Sequence, residues 1–148
     1  MIVDAYHPDA NFVSSRRLIV HAAPERVWRA LPDLPATLRQ SRWAIVAGLP
    51  LRVASAMRGE GGLGSAPVSI DRVEEGREVV LVGHHRFADF ATNIYVESLG
   101  DERTAIHNVT RAKFKTRGRG LLYLAGVHVF HNLYVDWGLR RLRALAES

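Results

Sequence analysis

The sequence predicts an α+β fold in which an antiparallel sheet carries a long helix on one face. Three observations support this. Residues 67–114 divide into four segments of alternating apolar and polar character separated by turn residues. From about Gly120 to Glu147 the apolar period changes to 3.6 residues. A β-branched run ending near residue 20 leads directly into a helix start. Strands followed by one amphipathic helix leave the helix no surface but the sheet on which to bury its stripe.

Taken in order, FVSSRRLIVH (12–21) predicts the first strand. In AAPERVWRAL, Pro24 suits the first helical turn, Glu25 suits the positive helix end, and Val27 and Leu31 lie one turn apart, which predicts a short helix. Pro32 and Pro35 end it, and LPATLRQS (34–41) predicts a second short helix before Trp43. Residues 43–64 predict two short strands and a glycine-rich loop. PVSIDRV (67–73), VVLVGHHRF (79–87), FATNIYVES (90–98) and TAIHNVTRAKF (104–114) form a meander through the turns EEGRE and LGDER. The final helix places Leu124, Val127, His131, Val135, Gly138, Leu142 and Leu145 on one face, with Asp136, Arg140, Arg143 and Glu147 opposite. Residues 1–148 read as a single domain, with 1–11 a loose N-terminal segment.

Composition removes several function classes. The 148 residues are 47% hydrophobic and 24% charged, which suits one globular domain, and no apolar run is long enough to span a bilayer. Zero cysteines exclude disulfides, thiolate catalysis and cysteine-held metals. The first residues show neither a basic nor an apolar leader region, so the expected location is the cytoplasm. The net charge of +5 comes almost wholly from arginine, 18 against two lysines. The ordered basic feature is RAKFKTRGRG, where Arg111, Lys113, Lys115, Arg117 and Arg119 recur at every second position.

The stretches VHAAPERVWRAL, GHHRFADF and RGRGLLYLAGVHVFHNLY, followed by the last helix, resemble the SRPBCC superfamily of START and Bet v 1-like helix-grip domains, and more narrowly its polyketide cyclase-like bacterial members. The resemblance covers nearly the whole chain, and PERVW and G-x-H-R-F are its most specific motifs. It implies a helix-grip fold: a curved, seven-stranded antiparallel sheet wrapped around a long C-terminal helix, with two short helices after the first strand. The cavity between sheet and helix would take hydrophobic or amphipathic ligands, lipids among them.

Strand alternation assigns the candidate site. Asn93, Tyr95 and Glu97 alternate with Phe90, Thr92, Ile94 and Val96, and the second set reads as inward. By parity with Val79, Leu81 and Gly83, His85 and Phe87 are inward, and His84 and Arg86 outward. The ligand-binding set is then Phe87, Phe90, Thr92, Ile94, Ile106, Asn108, Thr110, Tyr123, Val127, His128 and Tyr134. His131, central in the helix stripe, and His85 supply polar contacts, with Asn108 and Thr110 as plausible partners of His131.

Three readings compete. The first is a binder of a small hydrophobic or amphipathic molecule. The second is a cyclase, dehydratase or isomerase with His131 or His85 as acid–base group. The third is contact with an anionic surface through residues 111–119. No cofactor is expected, and nucleic acid is not the expected partner. His128 and His131, spaced i,i+3, supply two metal ligands but lack a third, because Asp136 falls on the opposite face. GEGGLG (59–64) satisfies G-x-G-x-x-G only formally, because a strand follows it where a dinucleotide site needs a helix.

Overall fold

The computed structural model describes residues 6–33, 68–85, 88–114 and 119–148; at residues 68, 69, 84, 85, 88, 119–130 and 134 only the backbone is described. The expected second short helix, the strands and loop of 43–64, and Arg86, Phe87, Lys115 and Arg117 lie outside the described residues.

The described chain runs β1 (Phe12–Val20), α1 (Pro24–Ala30), a 3-10 turn (Leu31–Asp33), β2 (Val68–Glu74), β3 (Glu78–His85), β4 (Ala88–Gly100), β5 (Arg103–Phe114) and α2 (Arg119–Glu147). Its five strands form one antiparallel sheet in the order β1-β5-β4-β3-β2. This is the α+β helix-grip architecture expected, with five strands among the described residues. Pro24 opens α1 as predicted, since a first-turn residue has no use for the missing N–H. Between β4 and β5, Gly100 pairs with Arg103 across two residues, Asp101 and Glu102, both at positive φ. That geometry matches the twist of the flanking strands.

Register fixes the faces. Phe12, Ser14, Arg16, Leu18 and Val20 of β1 lie beside Ala112, Thr110, Asn108, Ile106 and Thr104 of β5, which in turn lie beside Phe90, Thr92, Ile94, Val96 and Ser98 of β4. This is the face that meets α2. At one end it is sealed by aliphatic side chains: Val20, Ile106 and Val96 from the sheet, Val27, Ala30 and Leu31 from α1 and its turn, and Val135, Leu139, Leu142 and Ala146 from α2. Thr104, fully buried at that end, donates to the Ala22 carbonyl at 2.6 Å and pins the β1–α1 connection. Glu147 accepts from the His21 backbone N–H at 2.9 Å, tying α2 to the same connection.

The opposite face carries a second set of contacts. Residues 6–11, the described part of the segment expected to be loose, lie across it. Tyr6 packs with Ala91, Val109 and Val82 and donates to Asp71. Asp71 is the extra residue of a β-bulge between Ile70 and Arg72. Lys113 pairs with Asp9, Arg111 donates to the His7 carbonyl, and Asn11 exchanges hydrogen bonds with Phe114. The two described cations of the basic strand therefore hold this segment in place.

Candidate functional site

Above the sealed end, the helix-facing side of the sheet turns polar. Ser14, Thr110 and Thr92 form one cross-strand row, and Asn108 lies in the next row between Arg16 and Ile94. Ser14, Asn108 and Thr110 are all buried. Ser14 donates to Asn132 Oδ1 of α2 at 2.9 Å. The Thr92 and Thr110 hydroxyls share a hydrogen at 2.7 Å. Asn108 Nδ2 donates to the Asn93 carbonyl at 3.2 Å and more weakly to Thr92 at 3.4 Å. Asn93 is itself anchored on the far face, donating to Glu78 at 2.6 Å and accepting from the Val109 N–H at 3.2 Å. Among the described residues, Asn108 Oδ1 is buried and has no hydrogen-bond partner.

His131 lies half-buried one row further along, its ring edge-on to Phe12 at 5.5 Å and 88°. Asn108 and Thr110, expected as its partners, are bonded within the sheet instead. Of the predicted ligand-binding set, Phe90, Thr92, Ile94, Ile106, Asn108 and Thr110 come together on the helix-facing side. Ile106 belongs to the sealed core and is fully buried there. His85 continues the register of Val79, Leu81 and Gly83, opposite Ala88. At Tyr123, Val127, His128 and Tyr134 only the α2 backbone is described, and Phe87 lies outside the described residues.

Three residues at the site went unassigned in the sequence: Ser14, Arg16 and Asn132. The parity of Leu18 and Val20, carried back along β1, points to the first two. Asp136, expected to face solvent, meets Arg16 at 3.0 Å. The reason is that α2 lies along edge strand β1 as well as over the sheet, so its contact arc is wider than the apolar stripe. Beside that pair an open cleft of about 230 Å³ is lined by Arg17, Leu18, Asp136, Leu139 and Arg140. Among the described residues no group of three His, Asp or Glu is placed to hold a metal ion, and no helix is long and apolar enough to cross a membrane.

The sheet order, the long gripped helix and the short helix after β1 define a START/Bet v 1-type helix-grip fold. Solved structures with that fold include a START superfamily protein from Mycobacterium smegmatis (13% identity, 90% of this chain and 98% of that one, TM-score 0.51). Ara h 8.0201 is similar at 10% identity (91% and 97% covered, TM-score 0.52), as is Aha1 from Colwellia psychrerythraea, solved as a dimer, at 12% (92% and 96% covered, TM-score 0.53). No protein-family model matches the sequence, and no curated protein shows significant sequence similarity to it.

Proposed function

We propose that this protein binds a small hydrophobic or amphipathic molecule, of polyketide or lipid type, between the sheet and α2. The observation that carries the reading is the cross-strand row of Ser14, Thr110 and Thr92, the first two buried and Thr92 half-buried, with buried Asn108 beside it, on a face whose other end is mainly aliphatic. A layer needed only for packing gains nothing from polar groups, which cost free energy to bury. Few polar groups set in apolar surroundings are what orients a ligand in a largely apolar pocket. START/Bet v 1-like folds are ligand-binding folds in general, which supports the same reading.

Native mass spectrometry of freshly purified protein tests it: a mass increment lost on denaturation and identified as an apolar small molecule is the expected result. Thr92→Phe, which adds bulk to the layer, should lower that occupancy, while Leu133→Ala on the exposed side of α2 should leave it unchanged. Equal occupancy in both variants would sink the proposal. Acid–base chemistry is the second function considered, and no contact described here favours it over binding. If it operates, His131→Gln abolishes turnover and leaves uptake intact.

A further inference from the structure

We infer that the ligand carries a neutral hydrogen-bond donor, a hydroxyl or an N–H, and delivers it to Asn108 Oδ1; this rests on the reading of the sheet–helix layer as a binding site. Asn108 is 8% exposed, and its Oδ1 has no partner among the described residues. Turning the amide over would not relieve this. Its Nδ2 faces the Asn93 carbonyl at 3.2 Å, an atom that only accepts, so the reversed amide would set two oxygens against each other. Asn93 cannot move aside, because Glu78 and the Val109 N–H hold its side chain. Among the described residues the network therefore leaves Asn108 Oδ1 a buried acceptor without a donor, and a group that can donate is favoured beside it.

The surroundings decide the charge of that occupant. Ser14, Thr92, Thr110 and Asn132 are neutral, and Arg16 is already matched by Asp136. A carboxylate would bring its lone pairs against those of Oδ1. An ammonium group would be buried beside this band without a counter-ion among the described residues. A neutral hydroxyl suits the position best, because Thr110 lies two residues along the same face, about 7 Å from Asn108. When Thr92 donates to Thr110, the Thr110 proton is free to reach the ligand oxygen. One hydroxyl can then donate to Asn108 and accept from Thr110, which an ether cannot do.

Titration of the protein with three matched probes tests this: 2-naphthol, 2-methoxynaphthalene and 2-naphthoate, followed by tryptophan fluorescence, with 1-octanol, its methyl ether and octanoate as competitors of a second shape. The alcohols should bind about tenfold more tightly than the ethers, with the carboxylates weakest. In Asn108→Leu the advantage of alcohol over ether should shrink to within twofold. Asn108→Ala replaces that variant if it fails to fold, and the comparison on the unaltered protein needs no variant. Equal binding of alcohol and ether would show that a resident water satisfies Oδ1, overturning the inference while leaving the binding site intact. Tightest binding by the carboxylates would overturn it in the same way and point to His131 as anion partner. Binding of none of the six probes would remove the site and the inference together.

Discussion

The two ends of the sheet–helix interface are built differently. At the sealed end Val20, Val96 and Ile106 meet Leu139, Leu142 and Ala146 with no polar side chain among them, and Thr104 spends its hydroxyl on a backbone carbonyl at the edge. In the next two rows, Asn108 and then Ser14, Thr110 and Thr92 bond to one another, to backbone and to Asn132. The same strands supply both ends, so topology does not explain the contrast. One end holds α2 to the sheet, and the other keeps hydrogen-bonding groups under it at some cost in stability.

Breaking the sealed end should have the largest effect. Leu142→Ala removes a fully buried side chain from the aliphatic cluster and should cost about 2–5 kcal/mol in urea unfolding. Thr104→Val keeps the shape but strands the buried Ala22 carbonyl, with an expected loss of about 1–3 kcal/mol by the same measurement. At the polar end the expectation is smaller and depends on pairing. Thr110→Val alone should cost roughly 1 kcal/mol, whereas the double variant Thr92→Val/Thr110→Val should return close to the original stability, because the two hydroxyls satisfy each other. If the double variant were the worse of the two, the polar row would be structural after all.

The smallest expected effect is electrostatic. The His21 backbone N–H, with Arg143 beside it, holds the Glu147 carboxyl below its usual range. A folded-state value below the unfolded one means that the stabilisation is present above the unfolded carboxylate range and is lost as pH falls through the folded value. Glu147→Gln should therefore lower stability slightly in the neutral region, leave the acid end almost unchanged, and so flatten the acid limb of the stability–pH curve measured by urea unfolding. The group is exposed, so solvent screening keeps the contribution small.

Much of this was legible in the sequence, strand by strand. In β4 the alternation of Thr92, Ile94 and Val96 with Asn93, Tyr95 and Glu97 identified the helix-facing side, because one set is mainly apolar. The burial of Asn93 was not legible, since an asparagine on the far face signals solvent until Glu78 is seen beside it. β1 was harder. Val13 and Ile19 are about half exposed while Ser14 is buried, so hydropathy there points to both faces, and only Phe12, Leu18 and Val20 mark the true one. Ser14 and Arg16 are tolerated under the helix because Asn132 and Asp136 meet them, partners more than a hundred residues away that no local pattern reveals. Asn108 was assigned inward, but its open acceptor depends on the direction of an amide fixed by another strand.

The pairing of β1 with β5 also governs the order of events during synthesis. Phe12 lies opposite Ala112 and Val20 opposite Thr104, so β1 leaves the ribosome some hundred residues before its neighbour in the sheet exists, and still earlier than the helix that covers it. Until then Leu18 and Val20 have no surface to rest on. The nascent chain is most vulnerable to chaperone capture and aggregation during that interval, and its final closure waits for translation to deliver α2.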